Sequence, residues 1–449
     1  MILSARKTLY TILVTAYVVG GFLLAGYSSI GALPDLAGYA VKGLPDTVLL
    51  KYASVESGEA VLVATNASGS LVYYNGQWFF IDDFRASAAC MLGDALVAAG
   101  SYVDVYRRVT PAVLVLNASR DYIVRLSVPG RFYTVACGDS LAIAVGSGLG
   151  PVAVMVREDS IEALKFRGLP SPQVIYADAQ GDSAAIYVSS FSFSEWGYVI
   201  VYDKGSWSAR SFVRPGNLRV MIRGIAVVNG GALVLGEVRG VNWSAALLAP
   251  VTGGDAILVN TSSHGGYVLS ADLVDGRIRA YYRPGAYWDG MLEIDPSSGR
   301  VWLSRLLWPY SHAVLYASMN GHGEAVTATT ISHPSEGKIT VVTEGFALRP
   351  SALWLDGEPL FYVKKPVAGE EAMLHYMPWP SGEPVDAEPA SLEYTLEGVN
   401  ASPVYGIQDP TPMTLNVDLL TILGLSTAYG LSMAGLTYYA FEPEARRVE

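Results

Sequence analysis

The chain has 449 residues, of which 51% are hydrophobic and only 16% are charged, and its formal net charge is −11. An acidic chain without clustered Lys and Arg is a poor ligand for a phosphate backbone, so we expect no nucleic-acid partner. The many Gly (46), Pro (24) and Tyr (28) residues are typical of short strands joined by turns rather than of helices.

The N-terminal segment, residues 1–29, contains an uncharged hydrophobic run at residues 8–26 that follows Arg6 and Lys7. Its 19 residues are enough for a helix to cross a bilayer core of about 30 Å. The pattern predicts a transmembrane signal-anchor. The alternative is a secretory signal peptide that is cleaved, which has the same order of charge and apolar residues. Either reading places the following chain outside the cytoplasm.

A second uncharged run occupies residues 419–441, within a predicted C-terminal span at 417–441. Arg446 and Arg447 follow it, so the positive-inside tendency predicts a cytoplasmic tail at 442–449. The two runs together predict a plasma-membrane protein with both termini cytoplasmic and everything between them outside. Small residues four apart, which let helices approach closely, predict packing of this span against the first span or a partner; they are Ser426, Gly430 and Ala434.

Between the two runs, residues 47–397 read as one repeated unit of short strands. Each unit is marked by a tight turn that follows one apolar run and precedes another. Asn-Gly and Asp-Gly suit such turns because both residues can take positive φ. The eight first turns are Gly58-Glu59, Gly93-Asp94, Gly138-Asp139, Gly181-Asp182, Asn229-Gly230, Asp275-Gly276, Asn320-Gly321 and Asp356-Gly357. A second turn, such as Asn75-Gly76 or Lys204-Gly205, recurs later in most units.

Four strands in each unit of about 45 residues are the pattern of propeller blades. The unit, including LEIDPSSGRVWLS at 292–304, resembles the generic β-propeller superfamily in its membrane-anchored extracellular form. The resemblance implies an all-β fold, an eight-bladed (alternatively seven-bladed) β-propeller, flanked by an N-terminal and a C-terminal transmembrane helix. Residues 30–46 and 398–416 are predicted linkers. The alternatives are an array of β-sandwiches or two stacked β-domains. The motifs of the WD40 and kelch families are absent, so no specific family follows.

Two cysteines, Cys90 and Cys137, end the first strands of consecutive units. In an oxidising exterior a single pair of cysteines suggests a disulfide, but geometry decides whether the α-carbons come close enough. Two buried free thiols are the alternative. No catalytic, metal-binding or cofactor motif is found, so we predict no catalytic residues, no metal and no cofactor.

Five Asn-X-Ser/Thr triplets lie between the two hydrophobic runs, where N-glycans would be attached in an exported protein. The predicted acceptors are Asn66, Asn117, Asn242, Asn260 and Asn400.

Aromatic residues and arginines are concentrated in one stretch, and both are enriched at binding hot spots. This stretch predicts a binding surface, and packing between blades is the alternative. Its members are Arg279, Tyr281, Tyr282, Arg283, Tyr287, Trp288, Trp302, Arg305, Trp308 and Tyr310.

The function that the sequence favours is a membrane-anchored extracellular binding or scaffold module, without enzymatic activity. Its expected partners are the membrane itself, crossed twice, and an envelope protein or a glycan, with the chain as a subunit of a membrane complex. The alternative is an exported propeller-type enzyme, such as a hydrolase, lyase or quinone-cofactor dehydrogenase, with its active site in the central channel. Fold alone does not choose between them.

Overall fold

The computed structural model describes most of the chain between the two hydrophobic runs. The described residues are 36–56, 59–117, 120–190, 197–216, 218–228, 230–240, 243–260, 266–283, 290–295, 298, 300–305, 313–319, 325–333, 337–344, 351–355, 358–363 and 373–417. Within these ranges no helix has the length and hydrophobicity needed to cross a membrane. Apart from Val417, which ends the last described strand, both predicted spans, including Ser426, Gly430 and Ala434, lie outside the described residues.

All of the regular secondary structure in the described ranges is strand. In chain order the strands are β1 (Leu36–Lys42), β2 (Leu49–Glu56), β3 (Glu59–Thr65), β4 (Gly69–Tyr74), β5 (Gln77–Asp82), β6 (Phe84–Leu92), β7 (Ala95–Val103), β8 (Val109–Leu116), β9 (Tyr122–Leu126), β10 (Arg131–Cys137), β11 (Leu141–Gly148), β12 (Gly150–Arg157), β13 (Ile161–Phe166), β14 (Val174–Gln180), β15 (Ser183–Ser189), β16 (Gly197–Asp203), β17 (Ser206–Phe212), β18 (Arg219–Val228), β19 (Gly231–Arg239), β20 (Ser244–Pro250), β21 (Gly254–Asn260), β22 (Tyr267–Val274), β23 (Arg277–Arg283), β24 (Gly290–Asp295), β25 (Arg300–Arg305), β26 (Ala313–Met319), β27 (Ala325–His333), β28 (Gly337–Glu344), β29 (Ser351–Leu355), β30 (Glu358–Val363), β31 (Met373–Trp379), β32 (Pro389–Ser391), β33 (Tyr394–Gly398), β34 (Ala401–Pro403) and β35 (Thr411–Val417). The predicted all-β class is therefore confirmed for this part of the chain.

The chain divides into two units. The larger unit comprises Gly38–Phe346 and Val367–Thr411, and the smaller one comprises Met1–Ala37, Ala347–Pro366 and Pro412–Glu449. In the smaller unit β29 pairs antiparallel with β30 and with β35. The hairpin of the eighth predicted repeat is thus part of the smaller unit.

The larger unit contains seven antiparallel sheets, which we call blades 1 to 7. Blades 1 to 6 are formed by β2–β5, β6–β9, β10–β13, β14–β17, β18–β21 and β22–β25. In blade 7, β26–β28 pair with β1 from the opposite end of the sequence. The first strands of consecutive blades contact one another in a closed ring, since β2 also contacts β26. This is the arrangement of a propeller, and the described strands form seven blades, which was the alternative to eight.

The blades form because their strands are apolar on both faces. Strands β3, β11 and β15 are buried along nearly their whole length, which explains continuous runs such as LAIAV instead of strict alternation. A hydrophobic cluster fills each of the interfaces between blades 7 and 1, 1 and 2, 2 and 3, 3 and 4, 4 and 5, and 5 and 6. Phe132, for example, is completely buried between blades 2 and 3. Burial of such a side chain contributes about 1.5–3 kcal/mol.

The turns adopt the geometry that their residues favour. Asn75 and Gly76 have φ values of 50° and 71°, and Asp275 and Gly276 have values of 52° and 76°. Positive φ at both central residues is the requirement of a tight hairpin turn with the natural strand twist.

A β-bulge recurs near the beginning of the first strand in every blade except blade 4. In blades 2, 3 and 5 the residue of the second strand opposite the bulge is glycine. A Cβ on Gly146 would lie 2.1 Å from the carbonyl oxygen of Arg131, closer than any side chain tolerates. At Gly146 the close approach of the bulged strand therefore leaves no room for a side chain.

Residues 373–403 form a belt around the outside of the larger unit. Strand β31 pairs with β21 of blade 5, Pro384 bridges to Arg210 of blade 4, and β32, β33 and β34 pair with the outer strands of blades 3, 2 and 1. The belt thus visits five blades in reverse order and supplies each outer strand with hydrogen-bond partners. An uncovered strand edge would be a template for aggregation.

The sequence-based domain boundaries differ from this arrangement in two places. Residues 36–42, within the predicted linker 30–46, form the outer strand of blade 7. The predicted linker 398–416 likewise contains β34 and most of β35. Both segments form strands because hydrogen bonding to partners distant in the sequence, rather than their own composition, determines their conformation.

Candidate functional site

The larger unit has two faces with different chemistry. The turn face carries the connections between first and second strands and between third and fourth strands. The loop face carries the connections between second and third strands and those between blades. Hydrogen bonds support this assignment of connections to two faces. On the turn face, Ser140 Oγ in the first turn of blade 3 donates to the Gly181 oxygen in the first turn of blade 4 at 3.4 Å. On the loop face, Gly130 N, in the link between blades 2 and 3, donates to the Val109 oxygen of blade 2 at 3.0 Å.

Among the described residues, acids predominate at the turn face and basic residues at the loop face. The acids of the turn face are Glu59, Asp94, Asp121, Asp139, Glu158, Asp159, Asp182, Asp203, Asp255, Asp275 and Asp295, against the basic residues Arg120, Arg157, Lys204, Arg277 and Arg300. The basic residues of the loop face are Lys42, Arg85, Arg107, Arg108, Arg131, Arg167, Arg214, Arg219, Arg239, Arg283 and Lys338, against the acids Asp46, Asp82, Asp83, Asp104 and Glu237. The belt adds the exposed acids Glu383, Asp386, Glu388 and Glu393 beside the ends of the fourth strands. The excess of basic residues on the loop face is therefore small.

The loop face also carries exposed apolar side chains. Val105 is 87% exposed, Tyr106 77%, Leu149 68% and Leu49 65%. These four lie on the adjacent blades 1, 2 and 3, and Val109 lies beside them. Grouped exposed apolar residues with a polar surround are typical of an interaction surface. The loop face is therefore the candidate binding site.

A second candidate site is the cavity along the axis of the ring. It has a volume of about 680 Å³ and is lined by residues of all seven blades, mostly from first strands. Its wall contains Lys51, Tyr176, Asp178, Ser270 and Asp272. The lining thus includes charged and hydroxyl-bearing side chains as well as apolar ones.

Asp178 is the most perturbed acid in this cavity. Burial raises the pKa of its carboxyl group from 3.8 to about 8, the hydrogen bond from Val227 lowers it, and the charge of Asp272 raises it. Val227 N donates to Asp178 Oδ2 at 2.7 Å, across the interface between blades 4 and 5. Ser270 Oγ is buried without a hydrogen-bond partner among the described residues. A protonated carboxyl group and a free hydroxyl in the wall of the same cavity can each donate a hydrogen bond to a small polar ligand.

The sequence held a signal for these two carboxylates that was missed. In VIYADAQ and YVLSADLV a single Asp interrupts an otherwise apolar first strand, shortly before the turn. An acid at the same place in two repeats marks a position that faces the axis of the ring rather than the core between blades.

Cys90 and Cys137 are joined by a disulfide, with their α-carbons 5.8 Å apart. They belong to β6 and β10, so the bond links the first strands of blades 2 and 3. Both residues line the central cavity. The bond thus fixes part of the cavity wall.

The predicted aromatic and arginine surface is not reproduced where its residues are described. Tyr281 and Tyr282 are completely buried core residues, which is a correction to their assignment as binding residues. Consecutive residues are both buried here because neighbouring blades cover both faces of β23. Arg279 Nε lies 3.8 Å from a carboxylate oxygen of Glu293, and Arg283 is partly buried at the end of β23. Tyr287, Trp288, Trp308 and Tyr310, and the side chains of Trp302 and Arg305, lie outside the description.

Four of the predicted glycan acceptors lie in described parts of the chain. Asn66 follows β3, Asn117 follows β8, Asn260 ends β21, and Asn400 is exposed between β33 and β34; Asn242 lies outside the described residues. The Asn66 side-chain oxygen accepts hydrogen bonds from the backbone of Ser68 and Gly69. Attachment of glycans remains a prediction. No group of three metal-ligating side chains is found within the described residues.

No protein-family model matches the chain, and no curated protein matches it either. Among solved structures, YCF48 from Cyanidioschyzon merolae is similar over 68% of this chain and 99% of its own, with 14% identity and a TM-score of 0.36. The extracellular domain of the one-component system BT4673 from B. thetaiotaomicron matches over 72% of this chain and 85% of its own, with 8% identity and a TM-score of 0.14. Similarity this low carries no argument. The class, an all-β fold of propeller type, rests on the seven sheets.

Proposed function

We propose that this chain is a membrane-anchored extracellular propeller that serves as a binding or scaffold module, with the loop face as its binding surface. The observation that carries the proposal is the group of exposed apolar side chains on that one face. Catalysis would not require such a surface, whereas recognition of a partner does.

The proposal includes further elements that rest on the sequence. They are the second span at 417–441, the close packing of helices through Ser426, Gly430 and Ala434, and N-glycans at the five acceptor triplets. Both termini would then be cytoplasmic, and the partner would be an envelope protein or a glycan.

Brief trypsin treatment of intact cells tests the topology. Arg107 and Arg108, in an exposed loop, are the expected first cleavage sites, and an Arg107→Gln, Arg108→Gln double variant provides the matched control. Cleavage of the wild type by external trypsin, with the protein retained in carbonate-washed membranes, is the expected result. Protection until the cells are opened would exclude an outward loop face.

The alternative function is an exported enzyme that uses the central cavity, and one observation favours it. The carboxyl group of Asp178, with a pKa of about 8, has the proton affinity of a general acid at neutral pH. A carboxyl-directed reagent can label Asp178 covalently. If a substrate that the enzyme turns over slows this labelling, the result would support the alternative. Labelling that no candidate substrate slows would favour the binding module.

A further inference from the structure

The charged residues of the central cavity are divided between its two ends. First strands run from the loop face to the turn face, so Lys51, the third residue of β2, lies toward the loop face. Asp178 and Asp272 come near the ends of β14 and β22 and therefore lie toward the turn face. Asp94 and Asp139, in the first turns of blades 2 and 3, line the cavity at the same end. We call this end, nearer the turn face, the acidic half of the cavity.

The carboxyl group of Asp178 is buried there beside a like charge. Its Oδ2 atom accepts a hydrogen bond from Val227 N at 2.7 Å. Burial raises the pKa of Asp178, and among the described residues the side-chain charge that acts on this pKa is the negative charge of Asp272. Arg223, on the strand next to β14, lies instead 5.1 Å from the centre of the Tyr267 ring. Because no described basic residue balances it, the buried carboxyl group keeps its proton at neutral pH.

Ser270 adds a third oxygen to the acidic half. It precedes Asp272 by two residues in β22, so the two side chains lie on the same side of the strand, and both residues line the cavity. The Ser270 Oγ atom is buried and has no hydrogen-bond partner among the described residues. An unmade hydrogen bond of a buried hydroxyl is costly and therefore rare. A ligand in the cavity would supply the missing partner.

The lining favours an organic ammonium ion over other ligands. Its acids repel anions and attract cations. No group of three metal-ligating side chains is found in the described part of the chain, so a metal ion would have too few ligands here. A volume of about 680 Å³ is enough for a whole small organic molecule. The three N–H groups of a primary ammonium suit carboxylate and hydroxyl oxygens as acceptors.

We propose that the acidic half of the central cavity binds a small organic molecule through a primary ammonium group, which donates hydrogen bonds to Asp178, Asp272 and Ser270. Binding exchanges a cation for a proton: the ammonium enters, the Asp178 carboxyl group releases its proton to the solvent, and the net charge of the site is unchanged. The ammonium supplies the opposite charge that the buried carboxylate otherwise lacks. This site is on the axis of the larger unit and is distinct from the loop face.

Isothermal titration calorimetry of the full-length protein in detergent micelles tests the proposal, with benzylammonium as the probe and benzyl alcohol as its neutral isostere. Titrations at pH 6 in two buffers of different ionisation enthalpy count the protons released. Benzylammonium should release about one proton per molecule bound, because Asp178, with a pKa of about 8, is protonated before the probe binds. Benzyl alcohol should bind at least ~tenfold more weakly and release no proton.

Three variants locate the site. Asp178→Asn should abolish the proton release and weaken benzylammonium binding at least ~tenfold. Ser270→Ala should weaken binding and leave the proton release unchanged. Asp275→Asn, in the exposed turn that follows Asp272, is the matched control and should change neither quantity. Thermal melts establish that each variant is folded; should Asp178→Asn fail to fold, the proton count of the wild type and the effect of Ser270→Ala still decide.

Equal affinity for the two probes, binding of benzylammonium without proton release, tighter binding of Mg²⁺ than of benzylammonium, an equal loss in Asp275→Asn, or no binding of benzylammonium would each overturn the proposal. The titrations use purified protein, so neither membrane anchoring nor a partner of the loop face affects their outcome.

Discussion

Replacing Asp178 by Asn should remove a pH dependence of stability that this carboxyl group creates. Its pKa is about 8 in the folded protein, against 3.8 for an ordinary Asp. Between these values the folded state keeps a proton that the unfolded state has released. The contribution of Asp178 to stability is therefore fully present below pH 3.8 and is lost as the pH rises through 8.

The size of the effect follows from the proton difference. One proton bound only by the folded state changes the free energy of unfolding by ~1.4 kcal/mol per pH unit. Between pH 5 and pH 7 the wild type should thus lose up to ~3 kcal/mol relative to Asp178→Asn. The variant keeps the shape of the side chain and stays neutral at both pH values.

Urea unfolding of the full-length protein in detergent micelles, followed by tryptophan fluorescence at pH 5, 6 and 7, measures the difference between wild type and variant. Asp275→Asn is the matched control, because Asp275 lies in an exposed turn where Asn also accepts the positive φ. A difference between wild type and Asp178→Asn that stays constant over this range would refute the reasoning, since it would mean that Asp178 is ionised in the fold.

Three further predictions concern the framework of the larger unit. The double substitution Cys90→Ser, Cys137→Ser opens a loop with a sequence separation of 47 and should lower the free energy of unfolding by about 4 kcal/mol; a urea midpoint equal to that of the oxidised wild type would contradict this. Gly146→Ala should cost about 1–3 kcal/mol because of the carbonyl oxygen opposite, whereas Gly398→Ala, with open space around it, should be neutral in thermal melts; equal costs would exclude steric overlap. Phe132→Ala should cost about 3–5 kcal/mol in the same melts, and a loss under 1 kcal/mol would mean that the interface between blades 2 and 3 is less tightly packed than described.

The repeat and its turns were accessible from sequence because they depend on local chemistry. Asn75-Gly76 and Asp275-Gly276 carry their own conformational preference, and apolar runs on each side identify the strands. The number of blades was not accessible in the same way. The hairpin around residues 351–363 satisfies the same local pattern, yet it belongs to the smaller unit, where it pairs with β35.

The belt could not be predicted from its own residues. Strand β33 is exposed along its whole length and has no alternating pattern, because its conformation comes from hydrogen bonds to β9.

The error at Tyr281 and Tyr282 has a related cause: their residue types suit a binding surface, but coverage by adjacent blades decides their burial. The loop Asp104–Arg108 between β7 and β8 had a readable signal, since an Asp followed by Val-Tyr-Arg-Arg between two strands predicts an Asx-type turn with exposed tips.

The pairing of β1 with β28 imposes an order on biosynthesis. Lys42 emerges from the ribosome early, but its partner Ile339 is made only after blades 1 to 6 are complete. Strand β1, the first strand in the described part of the chain, must therefore wait without its partner β28 while most of the ring assembles. Contacts between such distant parts of a chain form slowly and leave intermediates exposed to aggregation. Expression of this protein should consequently depend on whatever chaperone holds its first fifty residues.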